Sequence, residues 1–489
     1  MAEQMTHYSI LGIPDTATQE EIRAAFTHLM STRKKGESTS DPLAHKRLVH
    51  AYKVLGNKQA RMAYDRQLQP QPKQTLSNDA FIVQVTFSRS ELAVTESPQL
   101  LYALLEITAV DHSSDAALPL NICLVIDRST SMAGARMERV KAALRNLIDT
   151  LAPDDMISII SFSDRAQIVH PNGRATNKAG IMTKVHSIRT SGGTEIYQGL
   201  SAGVQQIKQV DLAKYNNQII LLTDGHTYGD ADNCLNLAKK VARVNIEITA
   251  FGLGTEWNDQ FLDTLVTPSG GRSIYVNNPD EIVAHLQQSV EGLGNIYAHN
   301  MCLSPQFVDG VVLRNVFKLM PFAQPVAHHD KNIQLGHLET RLPLTMLIEL
   351  EIAPQLEEAV IPFSIELTAE ISHQNKKIYT QNEQYDLAVQ IDATETDPPP
   401  ELLKAVRLFN LYQMNEKAWN EAEAGQFDMA TARMQHISTR LLEAGEEELS
   451  QQAFAETQRL ATMETVSIKG RKGLKYGTRA LMQQFSNEG

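Results

Sequence analysis

Five side chains stand out for the chemistry that their types allow. Asp127, Ser129 and Ser131 occupy alternate positions directly after an apolar run, Ile122 to Ile126. Thr194 follows a glycine pair in Ser191-Gly-Gly-Thr-Glu195, and Asp224 lies in Leu222-Thr-Asp-Gly225. Each offers oxygen and none offers nitrogen or sulfur, a donor set suited to a hard cation. Mg²⁺ is the expected ion, with Mn²⁺ or Ca²⁺ as substitutes. The glycines before Thr194 let backbone approach a ligand closely.

Catalysis fits these residues poorly. Asp127 could accept a phosphoryl group, but the second acid that chemistry expects two residues on is Ser129. Neither Ser129 nor Ser131 stands in a Gly-x-Ser-x-Gly elbow. The chain has no Gly-Lys-Ser/Thr phosphate loop, no His-Glu-x-x-His and no Cys-x-x-Cys. A metal-dependent hydrolase would need a general base, and none is identifiable. His226, beside the acidic loop, reads as a surface or capping residue, and His328-His329-Asp330 reads as a loop.

Strands and helices must bring the five residues together. The apolar run from Ile122 reads as a buried strand ending on Asp127. Residues 156–161, 218–223 and 246–251 read as further buried strands, and 166–170 as a short edge strand. Between them lie helices such as 138–151, with Val140, Leu144, Leu147 and Leu151 at helical spacing. A last helix, 279–293, lines up Ile282, Leu286, Val290 and Leu293. Alternation of this kind implies an α/β, doubly wound, mainly parallel sheet. Ligands of such sheets sit outside the carboxyl ends of the strands, where all three loops would meet.

The Asp127-Arg-Ser-Thr-Ser131 loop, with Gly-Gly-Thr194 and Thr-Asp224-Gly at later positions, resembles the von Willebrand factor A domain over residues 118–295. That family builds a metal-ion-dependent adhesion site from Asp-x-Ser-x-Ser, a Thr and an Asp. The resemblance implies direct binding of the ion by Ser129 and Ser131, and by Thr194 directly or through water. It gives Asp127 and Asp224 an orienting role through waters and hydrogen bonds. An ion held largely by neutral hydroxyls stays electrophilic and is completed by a Glu or Asp carboxylate of a partner protein. That is a binding device.

The amino-terminal residues form a different module. Thr18 and Glu21 have the spacing of a capping box, opening a helix with Ile22, Ala25, Phe26 and Leu29 on one face. A second helix carries Leu48, Ala51, Tyr52 and Leu55 and stops at Gly56, and a third spans 58–68. Tyr8-Ser-Ile-Leu-Gly, Glu20-Glu-Ile-Arg-Ala-Ala-Phe26, Ala51-Tyr-Lys-Val-Leu55 and Ala60-Arg-Met-Ala-Tyr-Asp-Arg66 resemble the J domain of DnaJ-type co-chaperones. That family stimulates a heat-shock ATPase through a His-Pro-Asp tripeptide. Here the equivalent place reads Arg33-Lys-Lys-Gly36, and the tripeptide occurs nowhere in the chain. The resemblance implies the fold and a docking role without the activity. Residues 69–78, polar and proline-containing, read as a linker.

Residues 81–87 and 100–107 are β-rich but too few to fold alone. Residues 297–303, 311–319, 344–352, 361–371 and 377–389 offer partners. A β-sandwich of 79–117 plus 296–397 is expected, with the α/β domain inserted into it. Similar hybrids occur in integrin β chains and in some bacterial von Willebrand A proteins; domains in series is the alternative. After Asp397-Pro-Pro-Pro-Glu401 the pattern turns helical through 398–489, divided at Gly425 and Gly445. Lys469-Gly-Arg-Lys-Gly-Leu-Lys-Tyr476 reads as a solvated basic end.

Composition narrows the partners. The 489 residues carry a net charge of −12, which argues against general nucleic-acid binding. Residues 1–68 hold ten Lys/Arg against seven Asp/Glu, so their +3 leaves −15 for the remainder. No apolar run is long enough to span a membrane, and the first residues lack the pattern of a secretory signal. Cys123, Cys234 and Cys302 read as buried reduced thiols, pointing to the cytoplasm. The expectation is a multidomain cytoplasmic scaffold that binds a protein partner through an Mg²⁺-completed carboxylate contact. A co-chaperone of a heat-shock ATPase is the rival reading, and a metal-dependent hydrolase the third.

Overall fold

The computed structural model describes residues 7–14, 17–33, 51–52, 55–56, 80–110, 118–227, 229–293, 295–328, 332–371, 378–393 and 397–483. The chain divides into two units, Met1–Asn78 and Asp79–Gly489. In the first, helices His7–Leu11 and Gln19–Arg33 pack with Ala51 and Leu55 around buried Tyr8, Leu11 and Ile22. The capping box is formed: Thr18 N donates to Glu21 Oε2 at 2.7 Å, and Glu21 N to Thr18 Oγ1 at 3.3 Å. Phe26 stacks on Tyr52 with centroids 4.0 Å apart. The Lys34-Lys35-Gly36 loop, Leu48, the expected third helix and the linker lie outside the described residues.

Strands of the second unit run in chain order as β1 (Phe81–Phe87), β2 (Glu91–Ala93), β3 (Gln99–Ala109), β4 (Leu120–Asp127), β5 (Met156–Phe162), β6 (Ala166–Arg174), β7 (Asn216–Thr223), β8 (Ile246–Leu253) and β9 (Ser273–Val276). They continue as β10 (Ile296–Phe307), β11 (Val311–Met320), β12 (Gln324–Pro325), β13 (Ile333–Glu339), β14 (Leu344–Ile352), β15 (Ala359–Ile371) and β16 (Ile378–Gln390).

The central sheet has the order β6-β5-β4-β7-β8-β9, parallel except for the antiparallel edge strand β6. Every residue of β4 and β7 is buried, because helices cover both faces. On one side Ala135–Thr150 and Ile282–Leu293 seal Ile122, Leu124 and Ile126. On the other, Ile196–Ile207, Ala231–Ala242 and Asp259–Val266 cover Cys123, Val125, Ile219 and Leu221. All three cysteines are buried and free.

Two five-stranded sheets flank this domain in sequence: β1-β3-β14-β11-β12 and β13-β10-β15-β16-β2. They share one core, in which Leu101, Leu105 and Met346 of the first meet Leu303, Leu335 and Leu367 of the second. β3 pairs with β14 from Gln99↔Ile352 to Ile107↔Leu344, so strands separated by the α/β segment are hydrogen-bonded neighbours. β13 has no counterpart among the sequence expectations. It is an edge strand containing Gly336 and His337, a composition without β signal, and pairing with β10 holds it extended.

Among the described residues four helices follow: Pro400–Glu423, Phe427–Glu443, Glu447–Met463 and Ile468–Gln483. The last overturns the expectation of a solvated basic end. Lys472, Lys475 and Arg479 are only 1%, 2% and 4% exposed. Lys475 Nζ reaches Asp259 Oδ2 at 2.6 Å and Asp263 Oδ2 at 2.9 Å, and Arg479 Nη2 reaches Asp263 Oδ2 at 2.7 Å. Lys472 Nζ donates to the carbonyls of Thr255 and Trp257 and lies 4.1 Å from the Trp257 ring centroid. Cations are buried when paired, and here the pairs come from the α/β domain.

Candidate metal centre

All five expected residues meet at the carboxyl edge of the central sheet. Asp127 ends β4, and its side chain faces inward with both oxygens engaged. Oδ1 accepts from Ser129 N at 2.8 Å, and Oδ2 from Thr223 Oγ1, at the end of neighbouring β7, at 2.7 Å. These bonds set the loop geometry. The turn Thr130–Met132 then brings Ser129 Oγ and Ser131 Oγ to 3.1 Å. Ser131 Oγ donates to Asp224 Oδ1 at 2.8 Å, joining the loops after β4 and β7.

The third loop is tied to the first by backbone. Ser191 N donates to Arg128 O at 2.7 Å, and Thr130 N to Gly192 O at 3.2 Å. Arg128 Nη1 adds a bond to Ser191 Oγ at 2.7 Å. Gly193 N donates to Asp164 Oδ1 at 2.9 Å, and Glu195 N to Ser163 O at 2.9 Å, fixing the loop on the end of β5. Thr194 stands between these anchors. Its Oγ1 lies 3.1 Å from where a Cβ on Gly225 would stand, beside Asp224.

The donor set fits a hard cation. Asp127 and Asp224 are 0% and 1% exposed, and Ser129 and Thr194 are 3% and 4% exposed. Burial pushes the Asp127 carboxyl up to about 6 against hydrogen bonds from Ser129 and Thr223, with nearby Asp224 adding to the rise. A bound cation would favour its ionised form. The Thr194 hydroxyl makes no hydrogen bond to any described residue. Ser131 is exposed, so the cluster opens to solvent on that side. Among the described residues no group of three or more His, Cys, Asp or Glu offers a different centre.

Two participants stand outside the five expected residues. Thr223, part of the Thr-Asp-Gly stretch but not assigned a role there, orients Asp127. Arg136, on the helix after the first loop, donates to Asp224 Oδ2 and, at 3.2 Å, to Ser131 O. An arginine in a helix otherwise reads as solvated surface. His226 is exposed. His328 Nδ1 lies 3.1 Å from Val326 O, while His329 and Asp330 lie outside the described residues.

Comparison with known proteins agrees with this architecture. Residues 121–289 match the von Willebrand factor type A domain, 6–65 the DnaJ domain, and 400–484 the Sll0103-like, C-terminal alpha-helical domain. The "Uncharacterized protein sll0103" of Synechocystis sp. is 32% identical over 267 residues, 53% of this chain and 62% of that one. Inter-alpha-trypsin inhibitor heavy chain H4 of Bos taurus is 27% identical over 191 residues, 37% of this chain and 21% of that one. The matched region is thus less than two thirds of either relative's length. Among solved structures, a von Willebrand factor type A protein from Catenulispora acidiphila superposes with a TM-score of 0.65 at 17% identity, covering 82% of this chain and 96% of that one. The ArnB paralog VWA2 from Sulfolobus acidocaldarius gives 0.53 at 17% identity, with 84% and 100% covered. The chain therefore carries a von Willebrand factor type A domain at residues 121–289 and a DnaJ domain at residues 6–65.

Proposed function

We propose that this protein is a metal-dependent interaction scaffold. Ser129, Ser131 and Thr194 would hold Mg²⁺, Mn²⁺ or Ca²⁺, with Asp127 and Asp224 orienting the hydroxyls and balancing the charge. The bound ion would supply an electrophilic position that a partner's Asp or Glu carboxylate completes. The observation that carries this reading is the convergence of five oxygen side chains from three loops, with the Thr194 hydroxyl making no hydrogen bond among the described residues and Ser131 open to solvent. No helix among the described residues is long and apolar enough to cross a membrane. A cytoplasmic location, with the chain divided at 1–68, 69–78, 79–117 plus 296–397, 118–295 and 398–489, belongs to the same proposal.

Partner capture from whole-cell extract tests the mechanism. Recovery is expected with Mg²⁺ and to be lost with chelator or with the paired change Asp127→Ala and Ser129→Ala. Recovery indifferent to both would overturn the metal contact. The DnaJ domain supports a second reading, a co-chaperone, against which stands the missing His-Pro-Asp. Intact protein is expected to leave the turnover of a heat-shock ATPase within twofold of its basal rate, and clear stimulation would favour the co-chaperone.

A further inference from the structure

The carboxyl end of β8 connects the metal centre to the last helix of the chain. β4, β7 and β8 are parallel neighbours, so Leu253 ends at the same sheet edge as Asp127 and Thr223. The turn that follows, Gly254 to Trp257, is closed on itself by Trp257 Nε1 donating to Gly254 O at 2.8 Å. Gly254 N donates to Val276 O at 2.9 Å, which fixes the head of the turn on β9. The tail of the turn is held from outside. Lys472 of the Ile468–Gln483 helix donates to Thr255 O at 2.6 Å and to Trp257 O, with its ammonium over the indole.

Arg136 rests against the head of this turn. A Cβ on Gly254 would stand 2.9 Å from Arg136 Nη2, and Gly254 has φ +77. From that seat Arg136 donates to Asp224 Oδ2 and Ser131 O, and Asp224 Oδ1 accepts from Ser131 Oγ. The chain of contacts therefore runs from Lys472 through the 254–257 turn and Arg136 to Asp224 and Ser131.

We propose that Lys472 of the carboxyl-terminal helix is a positioning residue for the metal centre, acting through the Gly254–Trp257 turn and Arg136 on Asp224. The proposal rests on the metal reading above. The helix thus does two things at once: Lys475 and Arg479 dock it on the α/β domain, and Lys472 sets the turn on which Arg136 sits. Coupling of this kind is reciprocal, so ion binding must also steady the docked helix.

Titration calorimetry of the full chain with MgCl₂ alone tests it. Lys472→Met is expected to weaken Mg²⁺ binding roughly tenfold, the lower end of the effect of partners that orient metal ligands. Lys472→Arg, which keeps a cationic donor, should retain most of the affinity. Gly254→Ala puts a methyl against Arg136 and strains the head of the turn at φ +77 while keeping Lys472 and its two carbonyl acceptors, and should reproduce the loss of affinity. In the wild type, Mg²⁺ should slow amide exchange of residues 468–483. A purely structural Lys472 predicts a lower unfolding midpoint with unchanged Mg²⁺ affinity, and that result overturns the proposal. If Lys472→Met fails to fold, wild-type affinity in Gly254→Ala overturns it instead. Absence of Mg²⁺ binding by the wild-type chain overturns the metal reading itself, and this proposal with it.

Discussion

Replacing Asp263 with Asn is expected to destabilise the docking of the last helix by about 3–5 kcal/mol, the cost of removing one partner from a buried ion pair. Asp263 accepts from Arg479 Nη1 at 3.1 Å and Nη2 at 2.7 Å, and from Ser273 Oγ, while Lys475 Nζ lies 2.9 Å away. The Arg479 guanidinium is sandwiched between Tyr412 and Tyr476, 5.5 and 5.0 Å from the ring centroids. Without the carboxylate, Lys475 keeps Asp259 at 2.6 Å and the field of Glu416, while Arg479 loses its ion-pair partner. Their hydration is not restored, because the helix and the rings still cover them. Urea unfolding followed by tryptophan fluorescence in a Trp419→Phe background, which leaves Trp257 against Lys472 as the reporter, reads the loss. A change below about 1 kcal/mol would mean that the pair is solvated in solution.

The same residues set an acid limit. Burial alone would raise the Asp263 carboxyl, but Arg479 and Lys475 hold it below the usual range. Burial likewise opposes ionisation of Asp259, and Lys475 reverses it. Both carboxyls are therefore depressed in the folded state. Their contribution is present above the ordinary carboxylate pKa of about 4 and is lost as pH falls through and below that value. Wild-type docking should weaken steeply over that window, and Asp263→Asn should flatten the slope.

Much of the architecture was legible because its signals are local. A continuous apolar run followed by Asp, Ser and Ser marks a buried parallel strand and the loop beyond it, and Leu120–Asp127 is that strand. Val140, Leu144 and Leu147 at helical spacing mark the covering face of Ala135–Thr150. The unread parts depend on partners far away in sequence. Lys472 bonds to carbonyls 217 and 215 residues earlier, and no side-chain pattern advertises a carbonyl. Lys475 and Arg479 belong to acids on a helix that looks, by itself, like an ordinary amphipathic surface element. Arg136 was invisible for a related reason: its role comes from three-dimensional convergence on Asp224, 88 residues on.

Gly199→Val should weaken Mg²⁺ binding by about an order of magnitude while costing about 1–3 kcal/mol of stability through overpacking. Thr194 precedes Glu195, the N-cap of the helix Ile196–Ile207, so the approach of that helix to the sheet bears on where the hydroxyl lies. That approach is close because the helix presents glycine to the strands. A Cβ at Gly199 would stand 2.6 Å from Phe162 Cδ1 and 2.8 Å from Val125 Cγ1, and one at Gly203 2.9 Å from Val125 Cγ2. Phe162 and Val125 are both 0% exposed and have nowhere to go, so the helix must give. Moving outward, it draws Thr194 from Ser129 and Ser131, whose own positions are pinned by Asp127 and Asp224. Helix propensity works the other way, since valine gains a few tenths of a kcal/mol over glycine in a helix interior. The two effects separate cleanly by calorimetry and thermal melting. A variant with a higher melting temperature and undiminished Mg²⁺ affinity would show that the sheet, not the helix, yields, and that Thr194 is placed by its loop anchors alone.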